Sequence, residues 1–350
     1  MYARSRLTGW CLSLSAVLVA VVAFAATVGP VDIRAGAVAV ILLDTAYGAV
    51  ADLLRLPSKR LFEGPDEYRT IVVGVRMPRI AVAATVGFAL GASGAVMQGF
   101  FRNPMADPSI IGVSSGAAVG AVAVISLPLS VPFGIQGAAF VGALVAAFTV
   151  YGIATANGRT GVATLLLAGV AVQTFLGAVV SLMLYVSDDD SMREAVYWLM
   201  GYLVHRDWSH VAVSLPVVVV GTGAMFAYAR DLNLLLLGEE EAHTLGVEPQ
   251  RTKRVLLAVS SVTTAAAVAV AGIIGFVGLV VPHGMRLVVG PDHRVLIPTS
   301  ALAGAVFLVL ADNSARHALG GTELPVGIVT AFVGVPFFLY LLRTREVHEL

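Results

Sequence analysis

Residues 237–283 read LGEEEAHTLGVEPQRTKRVLLAVSSVTTAAAVAVAGIIGFVGLVVPH. The stretch opens acidic, turns basic, and then passes from Arg254 to Arg286 through 31 residues without a formal charge, His283 counted as neutral. As one helix rising about 1.5 Å per residue, that run would measure roughly 46 Å. A hydrocarbon core is about 30 Å thick, so the helix would need a tilt of roughly 50°, beyond the usual range. The run is therefore expected to break among Gly272, Gly275 and Gly278 into a seventh span and a short eighth that ends around Pro282 and His283. The polar half must lie in water, and its size and surface charge suit a handle for a partner protein.

The 350-residue chain is 58% hydrophobic and 13% charged, where a soluble domain carries about 25% charged residues. This is the composition of an all-α integral membrane protein. Formal net charge is zero and the basic residues are scattered, which argues against a nucleic-acid surface. Cys11 is the single cysteine, so an internal disulfide and a thiolate metal site are both excluded. Lys59 and Lys253 are the two lysines, and neither follows a glycine as a phosphate loop requires. Any nucleotide hydrolysis then belongs to another subunit.

Ten spans are expected. The first, 7–28, follows Arg4 and Arg6; a signal peptide is the rival reading, but the apolar run exceeds the usual length of about 7 to 15 residues. A charged outside loop, 29–75, follows, with an apolar piece at 35–43 too short to cross. The others are 80–101, 110–127, 133–156, 162–186, 211–229, the two halves of the charge-free run, 295 to about 310, and 325–342. Gly87, Gly91 and Gly94 on the second span, and Gly112, Gly116 and Gly120 on the third, read as helix-packing positions. Asn103, Pro104, Asp107 and Pro108 form a capped turn between them. The acidic run Asp188, Asp189, Asp190 and the group His205, Asp207, His210 read more simply as solvated surface than as cation sites. Arg4, Arg6, Arg102, Arg159, Arg230, Arg251, Lys253, Arg254, Arg286, Arg294, Arg343 and Arg345 fall in loops on one side. That side is therefore cytoplasmic and holds both termini, although Arg76 and Arg79 outside weaken the count. Spans two to five and seven to ten enter in opposite senses and could be inverted copies, an argument from parity alone.

The motifs fall in a recognisable order. They are RMPR (76–79), SGAVMQGFFRNPMADP (93–108), IGVSSGA (111–117), LLLAGVA (165–171), YWLMG (197–201), LGEEEAHTLGV (237–247), GIIGFVGLVVPH (272–283), DHR (292–294) and ELPVGIVTA (323–331). Together they resemble the FecCD-like permease subunits of ABC importers for iron chelates (siderophores), haem and cobalamin. The resemblance implies a single permease domain over 1–350 of the type II ABC importer architecture, with 29–75 periplasmic and 230–253 a cytoplasmic coupling loop. It further implies a homodimer or paired permease in the bacterial inner membrane, two cytoplasmic ATPase subunits that use ATP and Mg, and an external substrate-binding protein. The chain itself would need no cofactor or metal.

The resemblance also assigns residues. Glu239, Glu240, Glu241 and Gly246 would meet the ATPase. Arg76, Arg79 and Arg316 would face carboxylates on the binding protein, a task suited to the planar guanidinium, although some could instead cap helices or meet headgroups. Gly161, Val162 and Ala163 would form the cytoplasmic gate, apolar here where some relatives carry hydroxyls. An ion-coupled secondary transporter is the alternative, but it would need an ionisable relay in the membrane, and the predicted span interiors carry no Asp, Glu, Lys or Arg. An intramembrane enzyme finds no HExxH, GxSxG or paired aspartate motif.

Overall fold

Apolar segments without water to bond must satisfy their backbone internally, and here they do so as helices. The computed structural model describes residues 2–54, 62–127, 129–156, 159–318 and 322–344. Arg55, Lys59, Arg60, Asn157, Gly158 and Arg345, which the sequence reading assigns to loops, lie outside the described residues. In chain order the elements are α1 (Tyr2–Thr27), α2 (Ala35–Leu54), α3 (Asp66–Arg69), a π-helical stretch (Thr70–Arg76), α4 (Met77–Phe100), a 3₁₀ turn (Pro108–Ile111), α5 (Val113–Ser126) and α6 (Gly134–Ala154). A small hairpin, β1 (Thr155–Ala156) and β2 (Arg159–Thr160), pairs Thr155 with Thr160. Then come α7 (Val162–Val186), α8 (Asp189–Leu199), α9 (Trp208–Ala227), α10 (Ala229–Leu235), α11 (Glu239–Thr244), α12 (Pro249–Ala271), α13 (Val277–Val289), α14 (His293–His317) and α15 (Val326–Thr344). Among the described residues, eight helices are long and apolar enough to cross a membrane, and three shorter apolar helices accompany them.

The buried centre is α4, crossed by α14 on one side. The two approach closely because glycine leaves room: a Cβ on Gly91 would lie 2.1 Å from the Ser300 carbonyl oxygen, and one on Gly87 would lie 2.2 Å from that of Gly304. Gly116 and Gly120 do the same for α5 against α6. In a membrane, where lipid is as apolar as leucine, such close backbone contact is a main source of helix affinity.

Three boundaries differ from the sequence reading. The apolar piece at 35–43 is the first half of α2, which continues to Leu54. Asp44 does not end the helix, because Arg69 pairs with it at 2.9 Å. The second span begins earlier, as a continuous helix Asp66–Phe100, so Arg76 and Arg79 sit on a helix rather than before one. The charge-free run breaks as length requires, at Gly272 (φ 74°) and Phe276 (φ 69°), but its second half passes through Pro282 to Val289. Proline has no N–H for the Gly278 carbonyl. Gln98 of α4 supplies a substitute, its amide nitrogen lying 3.0 Å from the Leu279 oxygen and 3.5 Å from that of Gly278.

Candidate functional site

Three regions carry the residues that the sequence singled out. The first is a charged cluster near the start of α4. Arg76 donates to the carbonyls of Ala26 (2.8 Å), Thr27 (3.1 Å) and Val31 (2.5 Å), so it caps the C-terminus of α1. Such a cap suits a cation at the negative end of a helix dipole. Arg79 pairs with Asp312 (2.9 Å) and Glu323 (2.6 Å). Arg316 also holds Asp312, with Nε at 2.9 Å from Oδ2 and a second, shorter bond from Nη2. Asp312 is 1% exposed and Glu323 35%. The structure thus brings Arg79 and Arg316 together on one carboxylate and gives Arg76 a separate partner. Asp312 lies at the edge of the ninth span that the sequence predicts, 295 to about 310 or somewhat beyond, and is not singled out there, whereas α14 continues to His317. The signal was present, since Asp312 and Arg316 stand four apart on one helix face.

The second region is an apolar concavity of about 550 Å³ whose lining includes Leu199, Ile273, Phe276, Ile328 and Phe332. It gathers the YWLMG, GIIGFVG and ELPVG motifs, which lie far apart in sequence. The break after α12 explains why they meet. Tyr202 donates to the Ala271 carbonyl at 2.9 Å, closing the end of α12. A Cβ on Gly272 would lie 2.2 Å from the Trp198 oxygen, and one on Gly327 would lie 2.2 Å from the Met200 oxygen. Unwound backbone at membrane depth is tolerated where protein covers it or where it lines a cavity.

The third region lies at the far end of α4. There α11 presents Glu239, Glu240 and Glu241 in its first turn, all exposed. Its C-terminus is a Schellman motif: Val247 N–H donates to the Ala242 carbonyl and Gly246 N–H to that of His243, both at 3.0 Å. Gly246 has φ 84°, and Val247 packs on Ala242 and Leu235 below it. Glu239 turns back onto the protein, accepting from Gln250 at 3.1 Å and pairing with Lys253. Glu240 and Glu241 are left on the outer face. Gly161 is the extended N-cap of α7, and Val162 and Ala163 open its first turn, next to the hairpin. Val162 shares with Phe101, Arg102, Leu235, Glu239 and Lys253 a cavity of about 280 Å³. Arg102 donates to the Leu235 carbonyl, joining α4 to α10. Asp292 of the DHR motif caps α14 through Arg294 N–H (3.0 Å) and holds Asn233 of α10 (2.6 Å).

Asp207 and His210, which sequence placed near His205, are engaged as a helix cap on α9. Asp207 accepts from Ser209 N–H at 2.9 Å and contacts His210 Nδ1 at 2.8 Å. The Ser209 hydroxyl and the His210 ring hold its carboxyl below the usual carboxylate range.

Comparison with known proteins places this arrangement. A relative 56% identical, matched over 99% of both chains, is the cobalamin import system permease protein of Halobacterium salinarum. A second, 44% identical over 79% of this chain and 84% of its own length, is the hemin transport system permease protein of Yersinia pestis. An inward-facing ABC transporter structure of the metal-chelate type superposes with a TM-score of 0.79 at 30% identity, covering 96% of this chain and 99% of that one. The FecCD transport family profile matches residues 17–344, and with the helical architecture and the relatives just described the chain belongs to that family of ABC transporter permeases.

Proposed function

We propose that the chain is the membrane-embedded subunit of an ATP-driven importer, which carries a metal chelate from the outer side to the cytoplasm by alternating access. The observation that carries this reading is α11, a short acidic helix fixed at its C-terminus by the Schellman motif and at its start by Glu239 on Lys253. A partner ATPase would seat against Glu240, Glu241 and the Gly246 turn, with Gly161, Val162 and Ala163 as the cytoplasmic gate. Arg76, Arg79 and Arg316 mark the outer rim, where an external binding protein would dock. The exposed apolar faces of α7 and α15, among them Leu167, Phe175 and Phe332, suit lipid or a second permease copy, with cargo passing between the two. Both termini are then cytoplasmic, with α2, although long enough to cross, at the outer face, a placement supported by its Asp44–Arg69 ion pair.

Cobalamin is the first cargo to test, supported by the 56% identity to the halobacterial cobalamin permease; haem and iron-siderophore chelates are the next. The test is uptake of radiolabelled cobalamin into proteoliposomes holding the chain with its ATPase and binding protein. ATP inside the assay should drive uptake without an ion gradient. Uptake that follows an ion gradient and ignores ATP would support the secondary-transporter reading instead. Against that reading, the buried Asp312 is locked between two arginines.

A further inference from the structure

We propose that Gln250 is a positioning residue that ties the ATPase-facing helix α11 to the cytoplasmic gate, an inference that rests on the reading of α11 and of the α7 turn given above. Gln250 lies in the first turn of α12, and its side-chain amide has two partners from elsewhere in the chain. Its Oε1 accepts from the Thr160 backbone N–H at 3.3 Å. Its Nε2 donates to Oε2 of Glu239 at 3.1 Å. The chemistry of the partners fixes the amide's orientation: the backbone group can only donate and the ionised carboxylate can only accept. Lys253, one turn further along α12, holds the other oxygen of Glu239. On the gate side, Thr160 is paired across the hairpin with Thr155, their hydroxyls 2.9 Å apart, and Gly161 follows directly.

Packing between the gate turn and α11 is incomplete. Val162 and Glu239 both line the cavity of about 280 Å³, so the space between the gate turn and α11 is partly unfilled. Apolar contact transmits movement only where surfaces touch. The link from α11 to the gate turn is therefore polar and runs from the Glu239 carboxylate through the Gln250 amide to the β2 backbone. A shift of α11 when its partner closes would pull on Thr160 and so on the start of α7. Glu239 then serves inside the permease, and the outward contacts fall to Glu240 and Glu241.

Coupling measurements in the full complex test this. Chain, ATPase and binding protein are reconstituted together, and cobalamin imported and ATP hydrolysed are both counted. Q250M keeps the length of the side chain but loses both hydrogen bonds. Its hydrolysis should stay within about twofold of wild type while import per ATP falls by about tenfold, the size expected for losing hydrogen bonds of which one is to a charged group. Q250E sets two carboxylates against each other and should fall similarly. Adding E239Q to Q250E gives the new carboxylate a donor again and should recover import per ATP to within about twofold of wild type.

A wild-type ratio in Q250M, or a double variant no better than Q250E, would overturn the proposal. So would loss of the ATPase from the purified Q250M complex, which would make Gln250 a structural residue. Wild-type vesicles that import on ATP hold the functional reading fixed, so unaltered variants then count against the link alone. Import by wild type that ignores ATP overturns both.

Discussion

Asp312 shows how much one side chain can decide. It is buried and pairs with both Arg79 and Arg316, and Arg79 has Glu323 as its second partner. Removing one partner of a buried ion group leaves an uncompensated charge, at a cost of about 3–5 kcal/mol. Asp312→Asn should therefore lower thermal stability in detergent strongly, whereas Glu323→Gln, at a part-exposed pair, should cost no more than about 1 kcal/mol. Equal losses for the two would show that the cluster is not organised around Asp312. Asp207 gives a pH signature. Its carboxyl is depressed in the folded state by the Ser209 hydroxyl and His210. The cap thus contributes fully above the unfolded value of about 3.9 and weakens as pH falls towards the lower folded value. Asp207→Asn should remove that part of the acid dependence, read by unfolding at a series of acid pH values.

Elements in this fold hold their shape through residues borrowed from neighbours. The α13 helix tolerates Pro282 because Gln98 reaches across from α4 to the Gly278 carbonyl, which the proline leaves without its helical donor, and to the neighbouring Leu279 carbonyl. Gln98→Leu should cost about 1–3 kcal/mol, the penalty for buried unsatisfied groups. Pro282→Ala restores the intrahelical donor, so in its presence the Gln98→Leu cost should shrink, and strict additivity would refute the substitution. The α11 helix depends on Gly246 in the left-handed region, where a side chain costs roughly 1–2 kcal/mol. No neighbouring atom would meet a Cβ there, so the strain is purely conformational. Gly246→Val should loosen the end of α11 and reduce import per ATP in the reconstituted complex, with little change in overall melting temperature.

At the scale of the whole molecule, the exposed apolar surface is not one face. Helix α4 is almost wholly buried, whereas α7 leaves most of its length open. The apolar concavity is walled in part by α15, whose exposed Phe332 and Val333 are a surface that a second copy could cover. Light scattering of the purified chain in detergent should give twice the monomer mass if a second copy completes the path. A clean monomer, with the ATPase bound, would instead point to pairing with a different permease chain.

Much of this architecture was legible in the residues. Lengths of apolar runs placed most of the helices, and the 31 uncharged residues after Arg254 required a break that the structure puts at Gly272 and Phe276. Helix geometry and the thickness of a bilayer are local constraints, so sequence alone can apply them. Family membership was legible too, because its motifs are contiguous. Partners distant in sequence were not. Sequence marked Arg79 and Arg316 as charged and free to meet a partner, and only the crossing of α4 and α14 set both on Asp312. Asp44 bounds the apolar piece at 35–43 in sequence, and only the fold brings Arg69 to pair with it. Sequence offered Glu239 as an ATPase contact, and only folding brings Gln250 and Lys253 to it. A charge's partner is fixed by three-dimensional proximity, and whether it stays at the surface or can be buried follows from that partner.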